Sequence, residues 1–186
     1  MRILLTAFEA FNNDTINPSE EILKNIEDCD VEKILLPVSY ANAKEILLKK
    51  IKKDKFDFIL SLGYAASRNE ISIEKRACNE MKASIADNDG VFKNGEKIDN
   101  QGTDYLYTKI DINRIINELN NYHLYESDDA GRFICNEVYY LSLQEMNGNA
   151  LFIHIPPLDR MKDNGKNIFF LVSAIKEIIK LLKGEK

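Results

Sequence analysis

The sequence predicts an α/β fold in which a mixed, mostly parallel sheet carries helices on both faces. Short apolar runs of strand length alternate along the chain with longer segments whose apolar residues recur at helical spacing. The order strand, helix, strand, helix, strand in the first third of the chain is typical of parallel sheets, because parallel neighbours need a crossover connection. The length of 186 residues, 45% of them hydrophobic, fits one domain over residues 1–186.

The amino-terminal elements follow from apolar runs and from helix-start signals. Asn17 and Pro18 predict a helix start, because asparagine caps helices and proline suits the first helical position. The predicted elements are a strand over 2–8, a helix from Asn17, a strand over 31–38, an amphipathic helix over 41–53, and a strand over 56–62 that Gly63 ends.

The remaining elements are less regular. Ile71, Ile73 and Ala77 are expected to share one face of an alternating segment. A long polar segment over 86–104 is expected to be an exposed loop or an irregular hairpin. The other predicted elements are the alternation itself over 70–78, a helix over 111–119, a short strand over 122–125, a buried helix over 132–144, a core strand over 150–155 and a helix over 165–183.

Charge and composition argue against several classes of function. The chain carries 25 Lys+Arg and 30 Asp+Glu, a net charge of -5 that disfavours nucleic acid as a partner. No apolar run approaches the roughly 20 residues of a membrane helix, and no signal peptide is recognisable, so a cytoplasmic protein is expected. The chain has 3 cysteines and no Cys-x-x-Cys pair, so we expect neither a disulfide framework nor a metal site. Glycine-rich phosphate-binding motifs are absent, so no nucleotide cofactor is expected.

Cys135 and His154 are the side chains best placed for chemistry. Cys135 follows a polar, glycine-containing turn and falls in the first turns of the helix over 132–144, where the helix dipole favours a thiolate. His154 lies at the end of a core strand, and ligands bind at the carboxyl ends of parallel strands. One interpretation is a nucleophile–base pair, and the other is a buried structural cysteine with a packing histidine. Glu74, an acid within an apolar alternation, is either the partner that orients His154 or an exposed strand residue.

Three longer motifs occur in a fixed order, after shorter ones at 5–11, 17–19 and 36–38. They are Gly63-Tyr64-Ala65-Ala66-Ser67-Arg68 with Ile71-Ser72-Ile73-Glu74-Lys75, then Ala130-Gly131-Arg132-Phe133-Ile134-Cys135-Asn136, and finally Phe152-Ile153-His154-Ile155-Pro156. With these motifs the chain resembles the pyrrolidone carboxyl peptidases, also called pyroglutamyl peptidase I, a family of cysteine peptidases. The resemblance extends over nearly the whole chain.

This resemblance implies an activity and a set of site residues. It implies a cysteine peptidase that removes an amino-terminal pyroglutamyl residue from peptides, needs no metal or cofactor, and forms a homo-oligomer. The residues that match the family's catalytic trio are Glu74, Cys135 and His154. An apolar pocket for the pyroglutamyl ring is implied at Phe8, Phe11, Ile85, Phe133 and Ile134.

The chain departs from the family pattern at Ser84, where the family carries an arginine near the active site. Loss of this cation predicts a weakened enzyme, because a positive charge stabilises a thiolate or a developing oxyanion. The basic residues that could replace it are Arg68, Lys75, Arg76 and Lys82. Two alternatives stay open: a cysteine hydrolase with a changed substrate, and a non-catalytic binding protein on the same fold.

Overall fold

A computed structural model describes residues 1–11, 16–157 and 167–184. Within them, strands and helices alternate through the first third of the chain. In chain order the elements are β1 (Ile3–Phe8), α1 (Pro18–Asn25), β2 (Val31–Leu36), α2 (Tyr40–Lys53), β3 (Phe58–Tyr64), β4 (Ser72–Glu74), β5 (Arg76–Cys78), β6 (Met81–Lys82), β7 (Asn94–Glu96), β8 (Tyr105–Tyr107), α3 (Ile112–Glu118), a 3₁₀ turn (Asn120–Tyr122), β9 (Tyr125–Ser127), α4 (Ile134–Glu145), β10 (Ala150–Ile155) and α5 (Ile168–Lys183).

The main sheet has six strands in the order β2-β1-β3-β10-β4-β9. Neighbouring strands are parallel except at β10 and β4, which run antiparallel. The predicted α/β fold with a mixed, mostly parallel sheet is therefore confirmed. The carboxyl ends of β1, β3 and β10 meet at one edge of this sheet, which is where an open parallel sheet binds ligands.

Two apolar cores lie on opposite faces of the sheet. Along β1, Ile3 and Leu5 face a core shared with α1, α3 and α5, whereas Leu4 and Phe8 face a core shared with α2 and α4. Because both faces are covered, β1 is buried along its whole length and reads as a continuous apolar run.

Most helices begin at a residue whose side chain accepts a hydrogen bond from the first turn. These N-cap residues are Asn17, Ser39, Asp111 and Asn167, before α1, α2, α3 and α5. Helix α4 differs, because its N-cap Phe133 makes no side-chain capping hydrogen bond. The first-turn N–H groups of α4 therefore receive no side-chain cap at the point where Cys135 lies.

The alternation over 70–78 forms two strands rather than one. Strand β4 joins the main sheet between β10 and β9, whereas β5 pairs antiparallel with β8 in a separate sheet. Ile71 and Ile73 lie in the core beside α1 and α5, but Ala77 lies in the core beside α4. The expectation of one shared face is therefore wrong. The chain changes partner strands at Lys75, a switch that period-two alternation does not encode.

The segment over 86–104 contains β7, which pairs antiparallel with β6, so the predicted irregular hairpin is confirmed. Two further boundaries differ from the predicted ones. The short strand predicted over 122–125 begins only at Tyr125, because the preceding 3₁₀ turn ends at His123 in the left-handed conformation, with φ of 53°. Gly63 lies within β3 rather than after it. Across the described ranges, no helix is long and apolar enough to cross a membrane.

Candidate active site

Glu74 and His154 form a buried hydrogen-bonded pair. Strand β4 runs antiparallel to β10, with Glu74 opposite Phe152 and Ser72 opposite His154, so the two side chains emerge on the same face of the sheet. The Glu74 Oε1 to His154 Nδ1 distance is 2.8 Å, and the two residues are 0% and 5% exposed. Since a carboxylate only accepts, His154 carries a hydrogen on Nδ1 and donates it to Glu74, and the other ring nitrogen, Nε2, takes no part in this bond.

Two further side chains donate to the same carboxylate oxygen. Ser72 Oγ lies 2.9 Å from Glu74 Oε1, and Arg68 Nη2 lies 3.3 Å from it. The other oxygen, Oε2, is buried without a hydrogen-bond partner among the described residues. Glu74 is therefore held through one oxygen, which three donors share.

The sulfur of Cys135 lies against Gly63, beside His154. Gly63 pairs with His154 in the parallel register of β3 and β10. A Cβ atom added to Gly63 would lie 2.9 Å from Cys135 Sγ, so the absence of a side chain makes room for the thiol. No hydrogen bond joins this thiol to the His154 ring in the part of the chain that the structure describes. The structure thus places the sulfur next to the Glu74–His154 pair without a direct bond to it.

The environment of Cys135 favours the thiol over the thiolate. Desolvation raises the pKa of Cys135 to about 12, and the negative charge of Glu74 adds to this rise. The backbone N–H of Cys135 lowers the pKa, but by less. The residue keeps some exposure, so it is the close packing around its sulfur that desolvates it. The expectation that the helix terminus favours a resting thiolate is wrong, and nucleophilic chemistry here needs a base that removes the proton as the sulfur reacts.

An aromatic cavity opens at the sulfur. Its free volume is about 60 Å³. The Phe11 and Phe133 rings bound it, with centroids 5.3 Å apart and planes at 51°. Its lining comprises Phe8, Phe11, Asn17, Val38, Tyr64, Phe133, Ile134 and Cys135. Four of the five residues assigned to a pocket from the sequence therefore line this cavity. Ile85 does not, because it is 45% exposed on the segment after β6.

The one group of metal-ligating side chains among the described residues lies elsewhere. Asp28, Cys29 and Asp30 bring their ligand atoms within 4.8 Å of one another at the start of β2. Lys183 Nζ lies 3.0 Å from Asp28 Oδ1 and 2.9 Å from Asp30 Oδ2. One ammonium group thus offsets one of the two carboxylate charges of this cluster.

Comparison with known proteins decides the family. The sequence model described as "Pyroglutamyl peptidase" matches residues 1–174. The chain belongs to the pyroglutamyl peptidase family. It is 34% identical to the pyrrolidone-carboxylate peptidase of Thermoanaerobacter sp. (strain X514), over 98% of both chains. It is 35% identical to that of Pyrococcus furiosus, over 84% of this chain and 81% of the relative.

Solved structures of pyroglutamyl peptidases share the whole fold. The pyrrolidone carboxyl peptidase of Fervidobacterium islandicum AW-1 superposes with a TM-score of 0.90 at 31% identity, covering 99% of each chain. A mutant of the Pyrococcus furiosus enzyme superposes with a TM-score of 0.88 at 31% identity, covering 100% of this chain and 99% of the other. The predicted family resemblance is confirmed in sequence and in fold.

The basic residues that could replace the family arginine have different contacts. Lys75 pairs with Glu126 at 2.9 Å, and Arg76 Nε donates to the Asp128 carbonyl at 2.8 Å. Lys82 is exposed. Of these candidates, Arg68 is the one whose contacts include a member of the Glu74–His154 pair.

Several residues around the candidate site were not assigned a role from the sequence. Tyr139 donates to the Glu74 backbone carbonyl at 2.7 Å and so ties α4 to β4. The position of Ser72 beside Glu74 could have been predicted from the sequence, because residues two apart in a strand share a face and Ser72 precedes Glu74 by two. No pattern in the sequence indicated that Gly63 makes room for the Cys135 sulfur, since that contact depends on a helix far along the chain.

Glu137, two residues after Cys135 in α4, should make stability depend on pH. It is 2% exposed, and burial raises its pKa from 4.5 to about 7 although Lys44 and Lys93 oppose the rise. The folded chain therefore holds this proton more tightly than the unfolded chain, so the free energy of unfolding should fall as pH rises through this interval. A shift of this size corresponds to about 3 kcal/mol.

We expect Glu137→Gln to stabilise the protein at about pH 8 and to flatten the pH dependence below it, as measured by urea unfolding. Glu145→Gln, on an exposed carboxyl of the same helix, is the matched control and should leave the profile unchanged. If Glu137→Gln left the dependence of the free energy of unfolding on pH unaltered, the raised pKa of Glu137 would not be the cause of that dependence.

Proposed function

We propose that this protein is a cysteine peptidase that hydrolyses the bond after an amino-terminal pyroglutamyl residue. The observation that carries the proposal is the 2.8 Å Glu74–His154 hydrogen bond, buried on the face of the sheet where Cys135 lines an aromatic cavity. Family membership supports a peptidase, and these contacts support the cysteine mechanism. Glu74 orients His154, His154 is the base, and Cys135 is the nucleophile.

The reaction requires that a base remove the proton from the Cys135 thiol. His154 Nε2 takes the thiol proton as the sulfur attacks the exocyclic carbonyl carbon of the pyroglutamyl residue. Glu74 stabilises the imidazolium that forms. Backbone N–H groups at the uncapped start of α4 stabilise the oxyanion. The imidazolium then protonates the departing amine, and a thioester to Cys135 remains.

Water completes the cycle. His154 removes a proton from a water molecule that attacks the thioester carbonyl, and the thiolate leaves and is reprotonated. Free pyroglutamic acid and the shortened peptide are the products. Burial raises the pKa of the Cys135 thiol, so the sulfur depends on His154 to take its proton.

The aromatic cavity supports selectivity for a lactam acyl group. A pyroglutamyl ring is small, flat and uncharged, and it carries no terminal ammonium that would need a carboxylate partner. The Phe8, Phe11 and Phe133 rings offer it an apolar wall directly beside Cys135. The predicted role of Ile85 in this pocket is not part of the proposal, because Ile85 is exposed.

A hydrolysis assay tests the proposed function. The protein is given chromogenic amides of pyroglutamate, proline and glutamate at equal concentration. Selective release from the pyroglutamyl amide is expected. Faster hydrolysis of the proline or glutamate amide would show that the protein acts on a different acyl group from the one proposed. Lack of hydrolysis of all three amides in a folded sample would contradict a peptidase function.

Ser84→Arg should raise kcat for the pyroglutamyl amide by about two- to five-fold. Ser84 is exposed, so a guanidinium there is largely screened by solvent and stabilises the oxyanion weakly. Steady-state kinetics measure the change, and Ser84→Gln controls for side-chain length without charge. An equal gain in both variants would show that charge is not the cause.

A further inference from the structure

We propose that Arg68 is a positioning residue that holds the Glu74–His154 pair in its reactive arrangement, an inference that rests on the proposed peptidase function. It acts through Glu74 rather than on the substrate.

Arg68 joins the carboxylate to two neighbouring segments. Its Nη2 atom lies 3.3 Å from Glu74 Oε1, 3.0 Å from Ser127 Oγ and 2.7 Å from the Asp129 carbonyl. Its Nη1 atom donates to Tyr125 Oη at 3.1 Å. The side chain is 24% exposed, so its guanidinium is partly sheltered from solvent. Four acceptors thus fix a planar group whose orientation determines where Glu74 Oε1 lies.

The position of Oε1 determines the position of the imidazole. Glu74 Oε1 accepts from His154 as well as from Arg68, whereas Oε2 is without a partner. Without the guanidinium, the carboxylate is free to exchange its two oxygens or to tilt away from Nδ1. Besides His154 itself, Ser72 would then be the remaining side-chain donor to this carboxylate among the described residues. A fully buried carboxylate also requires a compensating charge, and Arg68 supplies one at contact distance.

The Arg68 guanidinium contacts both the strand that carries Glu74 and the turn that precedes the helix carrying Cys135. The Asp129 carbonyl belongs to the turn that leads through Gly131 into α4. Arg68 therefore links the strand that carries Glu74 to the approach of the helix that carries Cys135. Displacement of Arg68 would therefore disturb the alignment of the base His154 with the nucleophile Cys135. Small errors in the positions of reacting groups reduce reaction rates strongly.

Arg76 provides a matched control. It also donates to a carbonyl of this turn, that of Asp128, at 2.8 Å, and its side chain is 31% exposed. Its guanidinium packs over the Tyr105 ring at 4.4 Å, and within the described residues no hydrogen bond or ion pair joins it to Glu74 or His154. Arg76→Ala therefore removes a comparable arginine and turn contact without touching the pair.

Kinetics of the full-length protein with a pyroglutamyl amide test the proposal. Arg68→Ala should lower kcat about 10- to 100-fold with KM nearly unchanged, because the lost contact orients the base and not the substrate. Guanidinium chloride at low millimolar concentration, far below denaturing levels, should restore part of the rate, while matched NaCl should not. Arg76→Ala should stay near the wild-type rate. Wild-type kcat in Arg68→Ala, or equal losses in both variants without rescue, would overturn the proposal.

A second readout does not depend on turnover. The chain has only two histidines, so His123→Asn assigns the imidazole nitrogen signals in NMR spectra. Wild-type His154 should show the Nδ1–H tautomer, and Arg68→Ala should shift this population while Arg76→Ala should not. If Arg68→Ala does not fold, Arg68→Lys replaces it in both experiments. An unchanged tautomer overturns the positioning role, whereas an inactive wild type with an Arg68-dependent tautomer would reject only the proposed substrate.

Discussion

Cys135→Ala should abolish hydrolysis of a pyroglutamyl amide, lowering kcat by about five to six orders of magnitude. Without the sulfur no thioester forms, and the Glu74–His154 pair has no nucleophile to deprotonate except water. Single-turnover and steady-state assays measure the loss. Because the side chain lies among packed atoms, circular dichroism and thermal unfolding must show that the variant keeps its fold.

Cys78→Ala is the matched control for this substitution. Cys78 is also partly buried, and burial raises the pKa of its thiol as well, but it lies in β5 rather than at the start of α4. It should keep the wild-type rate. Residual turnover of Cys135→Ala above a small fraction of the wild-type rate, with a clean Cys78→Ala control, would exclude covalent catalysis by Cys135.

Gly63→Ala should lower kcat about 100-fold, because one methyl group would displace both the thiol and an aromatic neighbour of His154. The new Cβ would lie 2.9 Å from Cys135 Sγ and 2.7 Å from Phe152 Cζ. Phe152 has no room to retreat, since it is 0% exposed and its ring lies 4.8 Å from the His154 ring and 5.7 Å from the Tyr139 ring. Overpacking of this kind costs about 1–3 kcal/mol, so the melting temperature should fall as well.

The double variant Gly63→Ala/Phe152→Leu separates stability from activity. A smaller side chain at 152 relieves the clash with the ring but not the clash with the sulfur. We expect the melting temperature to recover in part while kcat stays low. A wild-type kcat in Gly63→Ala would show that the sulfur does not need its present position for reaction.

Local signals in the sequence were sufficient to predict most of the fold. The apolar runs at β1, β3 and β10 are buried on both faces, which makes them recognisable without knowledge of their partners. The helix start at Asn17 depends on contacts within three residues. The predicted alternation over 70–78 failed as one element, because its two halves pair with different strands.

The candidate site was predictable only in part. Cys135 near a helix start and His154 at a strand end are both local features, and the structure places them on one face of the sheet. Ile85 was assigned to the pocket by resemblance, but the segment that carries it leaves its side chain exposed. The expected thiolate was wrong because the helix terminus is a local influence, whereas desolvation and the charge of Glu74 come from distant segments.

The sequence by itself determined most of the elements, their order, the family and the residue types available for chemistry, since these depend on short-range periodicity, capping and motifs. Only the tertiary structure decided how those residues act on one another. The Glu74–His154 bond joins positions 80 residues apart and exists because β4 enters the sheet antiparallel to β10. The contacts of Arg68 with Tyr125, Ser127 and Asp129 and the high pKa of the Cys135 thiol likewise arise from packing between separate segments. Such contacts fix distance, burial and charge together, and no local pattern along the chain encodes these three quantities.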